Sequence, residues 1–108
     1  MSKKKTEKLA VSYQSYLIET LQDKSSASLY LQEALDEYQE DGHTEALLLA
    51  LKNVADAQGG IARLAKKTHL NRESLYKTLS SKGNPKLSTL GLLLNGLGFH
   101  LAIEPAAA

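Results

Sequence analysis

The segment from Thr44 to Ala57 constrains this chain more than any other. Its Leu47, Leu48, Leu49, Ala50, Leu51, Val54 and Ala55 are apolar over more than one face of a helix. Such a helix belongs at the centre of a bundle, because each apolar side must be covered. Thr44 is the expected cap at its start and Gly59-Gly60 closes it. Before it, Leu9, Tyr13, Tyr16, Leu17 and Leu21 fit one face of a helix over 7–21, behind a polar, lysine-rich stretch 1–6 expected to be disordered. Ser25 and Ser26 offer caps for the next helix, where Ala27, Leu31, Ala34, Leu35 and Tyr38 recur at helical spacing. Asp41-Gly42 ends that helix, since glycine enters a left-handed cap without penalty.

After Gly60 the pattern shortens. Ile61, Leu64 and Ala65 face inward on a helix that stops near Thr68-His69. Asn71 then predicts the cap of a helix over 72–80 that buries Leu75 and Leu79. Gly83-Asn84-Pro85 breaks the chain again. Ser88 is the expected cap of a last helix, with Leu90, Leu93, Leu94 and Leu97 on one stripe and Gly98 at its end. The period then changes from helical to alternating: Phe99, Leu101 and Ile103 interleave with His100, Ala102 and Glu104 before Pro105, which predicts a short β-strand. A lone strand needs a partner for its backbone groups, and no other segment reads as one. Pairing with the same strand of a second copy predicts a homodimer.

The 108 residues suffice for one domain, and 43% hydrophobic with 23% charged residues is ordinary for a soluble globular chain. No stretch approaches the apolar length of a membrane span. The lysine-rich start has no apolar core behind it, so no signal peptide is expected. The absence of cysteine excludes disulfides and thiolate metal sites and makes a reducing cytoplasm the expected location. The net charge of +1 hides an uneven distribution. Up to Gln58, six lysines stand against ten carboxylates; from Gly59 on, seven cations stand against Glu73 and Glu104 alone. Phosphate-binding surfaces need positive charge that is local, not a high total.

That positive half holds residues 61–80, two short helices joined by a tight corner. Such a pair needs a small residue at its crossing, and Ala65 supplies it; Leu64, Leu70 and Leu75 form the apolar seam. The arrangement predicts a helix-turn-helix whose second helix enters the major groove of duplex DNA. Arg72, Glu73, Ser74, Tyr76 and Lys77 would then be the base-reading residues. Arginine and lysine donate to guanine, and glutamate accepts from cytosine. Arg63, Lys66, Lys67, Asn71, Lys82 and Lys86 are the candidate phosphate contacts, with the free amides at the helix starts. A plain antiparallel helix pair with a solvated face is the competing reading.

Residues 25–105 also resemble the addiction-module antidote family, prophage-type, HigA-like helix-turn-helix proteins of the Xre/Cro-like class. The likeness rests on Tyr30-Leu31-Gln32-Glu33-Ala34-Leu35, Ala46 to Ala55, Gly60 to Ala65, Asn71-Arg72-Glu73-Ser74-Leu75-Tyr76, Gly83-Asn84-Pro85 and Leu97-Gly98. The resemblance implies an all-α, Cro/repressor-like five-helix bundle, here with an N-terminal helical extension over 1–24, the DNA-binding domain over 25–105 and a tail over 106–108 expected to be disordered. It further implies dimerisation on a palindromic operator, repression of the protein's own operon and neutralisation of a toxin similar to the RelE/ParE/HigB group. His69 stands where the class usually has glycine in the turn; histidine tolerates the left-handed conformation better than most residues.

The acidic half would suit a basic toxin by opposite charge. Tyr13, Tyr16, Tyr30 and Tyr38 are expected as half-buried core residues in preference to interface anchors. His43, His69 and His100 lack metal-ligand spacing, Gly59-Gly60 lacks the pattern of a phosphate loop, and no serine lies in a nucleophile motif. Glu33, Asp36, Glu37 and Glu40 lie along a helix flank and read as solvated. No catalytic residue, metal or cofactor is expected. A free-standing phage-type regulator and a helical module that binds only protein remain the alternatives.

Overall fold

A computed structural model describes residues 3–107 of the chain, with side chains from Leu9 onward. Among these residues there are six helices and no strand: α1 (Lys3–Thr20), α2 (Lys24–Asp41), α3 (Glu45–Ala57), α4 (Ile61–Thr68), α5 (Arg72–Thr78) and α6 (Leu87–Gly96). Among the described residues no helix is long and apolar enough to cross a membrane.

α3 lies at the centre, as its all-round apolarity requires. It packs on α1, α2 and α4, while α4 in turn carries α5 and α6. Leu48, Ala50, Leu51, Val54 and Ala55 of α3 are buried, together with Leu21, Ala27, Leu31, Ile61, Leu64, Leu75, Leu79, Leu93 and Leu97 from the surrounding elements. Leu49 alone of the α3 leucine run faces solvent. One buried polar residue has no counterpart in the sequence pattern. Asn53 Oδ1 accepts from Gln14 Nε2 of α1 at 2.9 Å, and its Nδ2 donates to the Tyr30 hydroxyl of α2 at 2.9 Å. A buried amide must be paired on both sides, and here that need joins three helices.

The helix boundaries follow local chemistry. α2 starts not from the serines but from Asp23, whose carboxylate accepts from the Ser26 amide and hydroxyl, both at 2.9 Å. α2 ends on Gly42 with φ 73°. Thr44 precedes α3 without a side-chain capping bond. α6 starts one residue before the expected cap, with Lys86 in the N-cap position and no side-chain bond there.

The two hydrogen bonds from Ser26, the backbone one foremost, hold the Asp23 carboxyl below the usual range for an aspartate. A lowered folded-state value means that this cap stabilises the protein above the ordinary carboxylate range and ceases to do so as pH falls through the lowered value. Asp23→Ala is therefore expected to lower the melting temperature at neutral pH. The gap between variant and parent should close on acidification. A gap that stays constant down to strong acid would assign the effect to something other than the ionised cap.

Three expectations are corrected. The segment 99–103 is not a strand: from Phe99 to Ala107 the chain adopts neither helix nor strand. A ladder requires a second strand, and every other described element is helical. Phe99 is half-buried against the core, while Leu101 is partly and Ile103 fully exposed. Secondly, α1 begins at Lys3 instead of Glu7, within the stretch expected to be disordered; Met1 and Ser2 lie outside the described residues, as does Ala108 of the expected C-terminal tail. Thirdly, the residues assigned to one face of α1 divide. Leu17 and Leu21 turn inward, Gln14 is exposed with its amide reaching Asn53, and Leu9, Tyr13 and Tyr16 form an exposed stripe at i, i+4, i+7. The half-buried reading holds for Tyr30, which packs on the core, and fails for Tyr13 and Tyr16, 68% and 69% exposed.

Candidate nucleic-acid interface

α4 has eight residues and α5 has seven, too short to stand alone in water, so packing decides how they are held. Ile61 and Leu64 anchor α4, and Leu75 with the following Leu79 anchors α5. Leu70 and Ala65 are half-buried against the same core. The corner between the helices is three residues long. His69 adopts φ 59°, ψ 22°, the left-handed conformation expected for this position, and is the non-glycine residue with positive φ among those described. Just before it, the buried Thr68 hydroxyl donates to the Leu64 carbonyl at 2.8 Å, which closes the last turn of α4. Gly96 of α6 approaches here so closely that a Cβ on it would lie 2.7 Å from Thr68 Cγ2 and 2.9 Å from Leu64 Cδ1.

α5 starts from Asn71, whose Oδ1 accepts from the Ser74 amide at 3.1 Å. This bond uses the side-chain oxygen of Asn71 and leaves its Nδ2 as the group that could reach a phosphate. With Leu75 turned inward, Arg72, Glu73, Ser74, Tyr76 and Lys77 are all exposed. The Arg72 guanidinium sits over the Tyr76 ring, 5.8 Å from its centroid. Stacking of this kind orients a guanidinium without occupying its hydrogen-bond donors. The outer side of α5 thus offers a restrained arginine, a lysine, a carboxylate and a hydroxyl in two turns.

The other candidate phosphate contacts are exposed as well, on two separate elements. Arg63, Lys66 and Lys67 lie on α4; Lys82 and Lys86 flank Gly83-Asn84-Pro85 between α5 and α6. Arg63 and Lys67 line a shallow cleft together with Lys24, the first residue of α2. Sequence reasoning missed Lys24, because it was counted with the acidic half of the chain. Its position next to a helix end, after a capping aspartate, carries no signal of the contact it makes in three dimensions. Phe99, Leu101 and Ile103, the residues expected at a dimer contact, line a different groove, walled by Leu35 of α2, Leu47 of α3 and Leu90 and Leu94 of α6.

Comparison with known proteins adds the following. Residues 12–105 match a family model described as "Probable addiction module antidote protein". An uncharacterised protein of Haemophilus influenzae is 34% identical over 86 residues, which cover 80% of this chain and 84% of that protein. No solved structure matches.

Proposed function

The chain belongs to the addiction module antidote family, and from that premise we propose that it is the antitoxin of a toxin–antitoxin module and represses its own operon by binding DNA. α4 and α5 act as a helix-turn-helix of the Xre/Cro-like, HigA-like class, with α5 in the major groove. A homodimer places two copies of α5 in successive grooves of a palindromic operator, about 34 Å apart. Phe99, Leu101 and Ile103 meet their equivalents in the second copy. The partner to be neutralised is a basic toxin of the RelE/ParE/HigB kind in the cytoplasm.

The observation that carries the DNA reading is the division of α5 into two sides. Leu75 is buried, while every base-reading candidate from Arg72 to Lys77 stays in solvent behind a formed Asn71 cap. A helix held by packing on one side and studded with donors on the other suits direct readout of base edges. Around it, cations on α4 and on the α5–α6 connection are available to hold the two backbones.

The test is selection of duplexes from a random pool, followed by binding of Arg72→Ala and Lys77→Ala. Each substitution is expected to cost about 1–3 kcal/mol on the selected duplex and to relax preference at one base position. Retention of the full parental preference in both variants would reject α5 as the reading helix.

A further inference from the structure

We propose that the cleft between the start of α2, the outer side of α4 and the end of α6 holds a phosphate of the duplex backbone, with Lys24 as a contact alongside Arg63 and Lys67. The proposal rests on the DNA-binding reading and adds to it a residue from outside the basic half of the chain. The three cations line one cleft whose other lining residues include Gln22, Gln58 and Asn95 and no carboxylate. None of the three forms an ion pair among the described residues; the carboxylate next in sequence, Asp23, is engaged by Ser26. Like charges gathered without a counter-charge repel one another, and an anion between them removes that repulsion.

Two close approaches seat the side chains. A Cβ on Gly98 would meet Lys24 Nζ, and a Cβ on Gly59 would lie 2.8 Å from Arg63 Cδ. Both cations therefore lie down against bare backbone, at the ends of α6 and α3. Gln58 Nε2 donates to the Leu97 carbonyl at 2.8 Å and ties those two ends together beneath them. The competing account makes Lys24 a cation at the carbonyl end of α6 and nothing more, a placement that favours stability by itself. Stability and DNA affinity separate the two accounts. A phosphate could also come from a free anion, and inorganic phosphate separates that source from the duplex backbone.

The full-length chain is titrated onto a selected duplex and onto a shuffled duplex of the same composition, over a salt series. For Lys24→Ala, which removes one phosphate contact from each copy of the dimer, log affinity against log salt should become less steep by about 1.8. Between about 50 and 200 mM salt the parent then loses roughly 12-fold more affinity than the variant. The loss at low salt should be equal on both duplexes, since a phosphate contact carries no sequence information. Lys24→Arg should restore the parental slope. At matched ionic strength, inorganic phosphate should compete no better than chloride.

A parental slope in Lys24→Ala overturns the proposal, whether or not its melting temperature falls. Saturable binding of inorganic phosphate with an unchanged duplex slope overturns the backbone as the source. If Arg72→Ala loses its sequence preference while Lys24→Ala keeps the parental slope, only this inference fails. If the parent binds no duplex in a salt-dependent way, the DNA-binding reading itself fails and takes the inference with it.

Discussion

Gly83→Ala is expected to destabilise the protein by about 3 kcal/mol or more, measured as a lowered denaturation midpoint. The general cost of forcing extra atoms into a packed site is about 1–3 kcal/mol, and it rises when the neighbours are unable to move. Here the neighbours are backbone. A Cβ on Gly83 would lie 1.9 Å from the Thr78 carbonyl oxygen, 2.7 Å from its carbon and 3.1 Å from the Ser80 oxygen. Gly83 also donates its amide to the Ser80 carbonyl at 2.9 Å, so retreat would break the turn that leads out of α5. For a domain with a typical stability of about 5–15 kcal/mol, a loss of this size is a large fraction of the total. Gly91→Ala is the matching control, because it lies inside α6 with nothing within 4 Å of the new carbon. It should be neutral or stabilising. A cost below about 1 kcal/mol for Gly83→Ala would mean that the turn can move aside without strain.

Leu75→Ala should remove about 2–5 kcal/mol, the range for deleting a fully buried leucine. Leu75 is 1% exposed and is the buried residue within α5 itself. A seven-residue helix has almost no stability of its own, so removing its anchor should loosen α5 before the rest of the bundle. Amide exchange of the α5 backbone is expected to accelerate more than that of α3. Leu49→Ala, on the exposed side of α3, should change stability by only about 0.5 kcal/mol. An equal effect of the two substitutions would show that α5 is not held through Leu75.

Much of the fold was legible because several helices in this chain are marked at one end, although the caps expected at Ser25 or Ser26, Thr44 and Ser88 are not the ones that form. Gly42 at the end of α2, Asn71 at the start of α5 and the break at 83–85 combine a residue type with a backbone requirement that few others meet. The left-handed turn at His69 could be foreseen only through the resemblance, because the class usually has glycine at this position and histidine tolerates that conformation better than most residues. The error at 99–103 has the opposite origin. Alternation of apolar residues describes an extended chain equally well whether or not a partner strand exists, and the hydrogen bonds that define a strand come from elsewhere.

In α1 the same apolar residues fit two faces of one helix, and the packing of Leu17 and Leu21 on the core, with the Gln14–Asn53 bond, goes with one of them. Asn53 was invisible for a related reason: a lone asparagine in a leucine-rich helix looks like a flaw until its two partners are seen. The exposure of Arg72 and Lys77 followed from the burial of Leu75. The nearness of Lys24 to Arg63 and Lys67 depends on how α2, α3 and α6 come together, which no local pattern records.

The chain of contacts from Gln14 through Asn53 to Tyr30 gives the molecule a division between two kinds of attachment. The fastening of α1 is made of amide and phenol groups on top of Leu17 and Leu21, and dissolved ions screen neither. A face that grips phosphates lets go as ionic strength rises. If α5 binds an operator as proposed, brine that strips nucleic acid from it should therefore leave the amino-terminal helix seated, and any work done by that helix would continue while the operator stands empty.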